Sequence, residues 1–213
     1  MPPGSLKLRW LFVAAMLPGL VALVVSLGRS YQRERDYLDS RAMQAARSLS
    51  QAVDKEIFSA QKAMQGLAIA TVTDVSRRDF GSFYRTASEV IRRTGVADAI
   101  VLTEGSGQQV VNTLVPFGAS LPRTQNIDRV REVFATGEPY VSDLLHGTVS
   151  KRMLITIDVP VMREGRVIYD LNAVLMAERL NHVLQAQGIA DAWVGVVYDR
   201  NATIAARTRD PER

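Results

Sequence analysis

The chain has 213 residues, 47% apolar and 23% charged, enough to bury one full domain with attachments or two small ones, and too apolar for wholesale disorder. It contains no cysteine and two histidines, His146 and His182, which excludes disulfide scaffolds, zinc–thiolate sites, iron–sulfur clusters, cysteine nucleophiles and a histidine-rich metal site. The net charge is +4, but its 26 basic residues are scattered among 22 acidic ones without the basic stripe and interleaved aromatics of a nucleic-acid binder, so no nucleic-acid partner is expected.

The first element is a candidate membrane span. Trp10 to Gly28 are nineteen consecutive uncharged residues, about 28 Å as a helix at roughly 1.5 Å per residue, close to one hydrocarbon core. Pro18-Gly19 in the middle is tolerated in a bilayer. The run exceeds the usual ~7–15 residues of a signal-peptide core and is followed by no small-x-small cleavage site, which favours an uncleaved anchor over residues 1–28 and makes the lipid bilayer a partner through 10–28. Orientation is not set by charge: Lys7 and Arg9 precede the span, whereas Arg29, Arg33, Arg35 and Arg41 follow it.

From Arg29 to Gln65 there is neither Gly nor Pro, and small or apolar residues recur at Leu38, Ala42, Ala45, Leu49, Val53, Ile57, Ala60, Met64 and Leu67 in steps of three or four. This spacing predicts a long helix over 29–70. It serves either as a coiled-coil stalk joining two copies in a homodimer or as the first helix of a sensor domain. The seam is rich in alanine, which buries little area per residue, so part of the helix is expected to lean on the domain that follows.

Residues 71–95 break and restart, with an amphipathic helix over Asp79–Arg93 ended by Gly95. Ala97–Thr103 and Gln108–Val115 read as strands joined by a turn at Glu104–Gly107; no helix opens after that Gly-Ser-Gly, which argues against a phosphate loop. Ile127–Thr136 has helical spacing and stops at Gly137. Tyr140–Leu145 reads as a short strand, Lys151–Val161 and Arg166–Met176 as a long hairpin turning at Arg163–Gly165, and Ala177–Gln187 as a helix. Ala192–Tyr198 and Thr203–Arg207 form a last hairpin. The tight turns predict an antiparallel sheet of five strands with flanking helices, an α+β class.

Three stretches in succession carry a resemblance: Val110–Gly118 (Val-Val-Asn-Thr-Leu-Val-Pro-Phe-Gly), Val133–Leu144 and Ile157–Gly165. Together they resemble the extracytoplasmic double-Cache, PAS-like sensor regions of bacterial membrane histidine kinases, over roughly residues 10–213. The resemblance implies a module on the periplasmic side of the bacterial inner membrane that binds a small molecule and signals to a cytoplasmic output. It implies a membrane-distal module over 71–187 and the start of a membrane-proximal one over 188–213. A diguanylate cyclase or chemoreceptor output is the next choice, and a membrane-anchored protein-interaction module without a small ligand is the alternative from another class. The Tyr/Arg/Trp-Tyr signature of amino-acid-sensing Cache domains is missing, and Met153 stands where a proline is expected after Arg152, so the ligand's identity is left open.

No catalytic constellation or ATP-binding box is present, and the chain is expected to bind and not to catalyse, with no cofactor or metal. The long hairpin is where binding is expected. Met153, Ile155, Ile157 and Val159 alternate with Arg152, Leu154, Thr156 and Asp158, and the neighbouring strand alternates Tyr169, Leu171 and Ala173 with Asp170, Asn172 and Val174. One face is thus apolar, and the other carries Arg152, Thr156, Asp158, Asp170 and Asn172. These five suit a small polar ligand or, alternatively, a solvated outer face with cross-strand ion pairs.

Overall fold

The computed structural model describes residues 4–189 and 193–209. The first element is one continuous helix, α1 (Gly4–Ser76). The chain divides into two units, Met1–Arg47 and Ser48–Arg213. In the first unit α1 stands alone, with Tyr31, Tyr37, Leu38 and Met43 exposed. The side chains of most of Trp10–Gly28 lie outside the described residues, and among the described residues no helix is long and apolar enough to cross a membrane.

The second unit holds the sheet. After α1 come α2 (Phe80–Thr94), β1 (Ala99–Thr103), β2 (Gln109–Asn112), α3 (Ile127–Thr136), β3 (Tyr140–Val141), β4 (Leu145–His146), β5 (Met153–Arg163), β6 (Arg166–Met176), α4 (Ala177–Gln185), β7 (Val196–Tyr198) and β8 (Ile204–Arg207). The class is α+β with an antiparallel sheet. The order is β2-β1-β6-β5-β3, with β4 paired to the far end of β5. β7 and β8 form a separate two-stranded sheet, which packs on α4 where Arg207 N donates to Asn181 Oδ1.

Local chemistry sets the helix ends. Asp79 caps α2 by accepting from Ser82 N at 3.0 Å, and Gly95 closes it in the left-handed conformation that a side chain would resist. Asn126 and Gly137 bracket α3 in the same way. The periodic residues of α1 from Leu49 onward are buried: Leu49, Val53, Ala60, Met64, Leu67 and Val75 join Phe83 and Ala87 of α2 against Ile100, Leu102, Ile157, Val159, Leu171, Ala173 and Leu175 of the sheet. The expected lean of the long helix on the domain is this contact, made against one face of the sheet.

Four sequence expectations change in detail. α1 runs unbroken to Ser76 and does not break at 71. α4 stops at Gln185, two residues short of Gln187. The expected strand Tyr140–Leu145 is two short ones: Ser142 turns its hydroxyl to accept from Thr156 N at 2.8 Å, and Leu144 N bonds to Asp199 Oδ2 at 3.2 Å in place of the ladder. That split makes six strands where five were expected. The first residues of the last hairpin, 190–192, lie outside the described residues, and β7 begins only at Val196.

Candidate functional site

The face of the sheet opposite α1 is built in rows fixed by the β1–β6–β5 register. Ala99, Val174 and Thr156 lie side by side, then Val101, Asn172 and Asp158, then Thr103, Asp170 and Pro160. Antiparallel partners point the same way, so this face is apolar at one end, where Ala99, Val101, Leu154, Val174 and Met176 cluster, and polar at the other. The sequence alternation assigned it a polar character apart from Leu154, Ile168 and Val174; the short strand β1 adds alanine and valine to it.

α3 covers the polar end. Its Arg129 is 5% exposed and reaches into a group of carboxylates that are fully buried, Asp158 and Asp170. Arg129 Nη1 donates to Thr156 Oγ1 and lies 3.2 Å from Asp158 Oδ1, while Nη2 is 3.9 Å from Asp170 Oδ2. Thr156 Oγ1 in turn donates to Asp158 Oδ2 at 2.9 Å. Two acidic groups thus share one guanidinium in a region closed to water. Burial pushes the Asp158 carboxyl up from 3.8 to about 6, against the opposing pull of Arg129 and the Thr156 hydroxyl. Asp170 is held well above the usual carboxylate range, first by burial and then by the charge of Asp158, with Arg129 and the Asn172 side chain acting against both. Neither oxygen of Asp170 completes a hydrogen bond.

Beside this cluster lies a cavity of about 110 Å³, some ten times what a single water needs. Its floor is Val101, Thr103, Leu154, Thr156, Asn172 and Val174; its walls are Gln109 and Asn112 of β2, residues 124–126 with Arg129, and a flap over 145–150. A chain of amides holds the flap: Asn112 Nδ2 donates to Gln109 Oε1 at 2.9 Å, and Gln109 Nε2 donates to Thr148 Oγ1 at 3.4 Å. A Cβ at Gly147 would collide with Ser150 Oγ and lie 2.6 Å from Leu154 Cδ2 on the floor, so a larger residue there would displace these side chains. Two buried donors beside the cavity complete no hydrogen bond, Asn172 Nδ2 and Arg129 Nε.

Of the five residues singled out in the sequence, Thr156, Asp158, Asp170 and Asn172 come together here. Arg152 does not. It precedes β5, is more than half exposed, and pairs with Glu178 of α4 at 2.9 Å. The cation in the cluster is Arg129, which sequence reasoning missed because the spacing over Ile127–Thr136 singles out only the apolar positions of α3. His182 sits on α4, and His146 is an exposed member of the flap. Among the described residues no group of His, Asp and Glu could hold a metal ion.

The sequence matches no family model and no curated protein. Solved structures do match. The sensory domain of the Campylobacter jejuni chemoreceptor Tlp3, solved with isoleucine bound, aligns with a TM-score of 0.61 at 14% identity over 83% of this chain and 76% of that one. The ligand-binding domain of the Pseudomonas fluorescens chemoreceptor CtaA, in complex with L-serine, gives 0.62 at 12% identity over 82% and 74%. That of the Pseudomonas aeruginosa amino-acid chemoreceptor PctC, in complex with GABA, gives 0.58 at 16% identity over 82% and 76%.

Two predictions follow from the cluster. Arg129→Leu leaves the buried Asp158 carboxylate without its cation and lowers the stability measured by urea unfolding by about 3–5 kcal/mol, whereas Arg152→Ala, which breaks an exposed pair, costs less than about 1 kcal/mol. Asp170 binds its proton more tightly folded than unfolded, so its contribution is fully present below pH 3.8 and is lost as pH rises through its elevated folded value. Asp170→Asn keeps the neutral form at every pH. The difference in melting temperature between variant and wild type therefore grows in the variant's favour from pH 4 to pH 8, by roughly 2–4 °C per kcal/mol; a difference independent of pH would contradict a protonated Asp170. With these elements placed, the fold of this chain is that of the ligand-binding domains of bacterial chemoreceptors.

Proposed function

We propose that this chain is the extracytoplasmic small-molecule sensing module of a transmembrane signalling receptor. The observation that carries the reading is the partly covered cavity: a sheet face overhung by α3 and a flap, with a half-apolar, half-polar floor and two buried donors beside it that complete no hydrogen bond. Ligand pockets are concave, partly apolar and furnished with a few placed polar groups, and this one has that character. The shared fold with chemoreceptor ligand-binding domains supports the same reading, and so does the small size of the ligands in those structures.

The tether in this proposal is Trp10–Gly28, nineteen residues without a charge, with the sheet unit outside the cytoplasmic membrane. The membrane-distal module is residues 71–187, and the β7–β8 hairpin opens a second, membrane-proximal one. Binding is the chain's role, and catalysis is not. Two copies associate through the long helix, where Tyr37, Leu38 and Met43 stand exposed. The cytoplasmic output is either a histidine kinase, as the sequence resemblance implies, or a chemoreceptor signalling domain, as the structural neighbours favour equally well.

A signal has a direct physical route. β5 and β6 form the cavity floor on one face and the bed for α1 on the other. A ligand that draws α3 and the flap together biases how these strands lie, and the packed helix responds as a unit.

The absence of cysteine makes the topology easy to test. Ser106, exposed in the β1–β2 turn, is replaced in a Ser106→Cys variant and probed in intact cells with a membrane-impermeant maleimide. Labelling without lysis is expected; labelling that requires lysis overturns the extracytoplasmic placement.

A further inference from the structure

The character of the cavity wall narrows what it can hold. Among the described residues that line it, none is Asp or Glu. The nearby carboxylates, Asp158 and Asp170, are fully buried, do not line the cavity, and are engaged by Arg129. An ammonium group entering this space meets a guanidinium and a series of amides and hydroxyls, with no carboxylate offered to it. Its desolvation goes uncompensated.

An anion fares no better. Arg129 already lies 3.2 Å from the Asp158 carboxylate, so a ligand carboxylate placed against it makes a second claimant on one positive charge. Like-charge crowding in a region of low dielectric opposes that arrangement. The other basic side chain at the cavity, His146, stands exposed on the flap.

What the wall does offer is hydrogen bonding by neutral groups. Asn172 is 3% exposed, its Oδ1 accepts from Thr103 Oγ1 at 3.4 Å, and its Nδ2 completes no hydrogen bond, although the side chain lies near enough to Asp170 to pull that carboxyl's pKa down. Arg129 Nε is likewise buried and completes no hydrogen bond. A buried donor left unmade is costly, and a ligand oxygen that accepts from it recovers that cost. Val101, Leu154 and Val174 supply an apolar surface on the same floor.

Resting on the sensor reading, we propose that the cavity binds an uncharged small molecule bearing hydroxyl or carbonyl oxygens on one side and an apolar face on the other, such as a sugar, polyol, amide or nucleobase, and that it discriminates against amino acids and carboxylates. Asn172 is the specificity residue, donating through Nδ2 to a ligand oxygen.

The test is a thermal-shift screen of the full chain in detergent at pH 7.5 with three sets of compounds: neutral monosaccharides, polyols, primary amides and nucleobases; the twenty amino acids and GABA; and mono- and dicarboxylates. The expected result is a dose-dependent rise in melting temperature with a member of the neutral set. Asn172→Ala weakens that binding about tenfold, the value of one buried hydrogen bond, and Arg152→Ala leaves it unchanged. Should Asn172→Ala fail to fold, Gln125→Trp, at an exposed position on the cavity rim, obstructs the space without altering the core and abolishes the response. A response to amino acids or carboxylates alone, removed by either variant, overturns the neutral-ligand assignment and leaves the sensor pocket standing. No response to any of the three sets overturns both.

Discussion

A guanidinium held against two buried acidic groups, the Asp158 carboxylate and the Asp170 carboxyl, is the constraint on which the site depends. Asp158 and Asp170 occupy neighbouring strands of one sheet face, and without Arg129 they would place two acids in a dry interior. Burial of such groups is tolerated where a cation and hydrogen bonds accompany them. Arg129 supplies the cation from a different element, and in doing so it fixes α3 over the polar end of the sheet. The cavity is the space left between that fixed helix, the loop that leads into it and the flap. One ionic cluster therefore determines both where the lid sits and what charge the wall presents.

The two faces of the sheet have different tasks. On the α1 face, close packing of Met64, Leu67, Phe83, Ile157 and Leu171 leaves little room for independent movement. The opposite face closes with fewer apolar contacts and more hydrogen bonds, several of them near 3.4 Å. Elements that respond to ligands are drawn from the less tightly held parts of a fold. The flap over 145–150 and the segment entering α3 fit that description, and the rigid helix behind the sheet is suited to carrying the response away.

Much of the architecture was legible in the sequence. α2 and α3 announce themselves through an Asp or Asn cap, an apolar stripe and a closing glycine, all local signals. The β5–β6 hairpin follows from alternation and the Glu164-Gly165 turn, whose residues both adopt positive φ. Alternation also gave the correct parity for Thr156, Asp158, Asp170 and Asn172. It failed for Arg152 because parity says which way a side chain points and not how far the strand extends: β5 begins one residue later, and Glu178 draws the arginine outward. Arg129 was hidden for a different reason. On α3 the apolar stripe of Ile127, Val130, Val133 and Phe134 marks a buried side, and the charge beside it is not singled out until tertiary structure sets two acids beneath it. The signal that could have found it is the acids themselves, since two carboxyl groups diagonal to one another on the same face of adjacent strands call for a cation from elsewhere. The split of Tyr140–Leu145 was illegible for the same kind of reason, because Asp199, which takes the Leu144 N–H, lies 55 residues away.

The central claim is that the partly covered face of the sheet, between α3 and the flap, is a ligand site. Hydrogen exchange of the full chain, with and without the small-molecule fraction of a bacterial lysate, addresses it most directly. The account predicts slowed exchange confined to 124–130 and 145–150, with α1 between Leu49 and Val75 following more weakly. Unchanged exchange in both of those segments, or slowing only at surfaces remote from them, would contradict it.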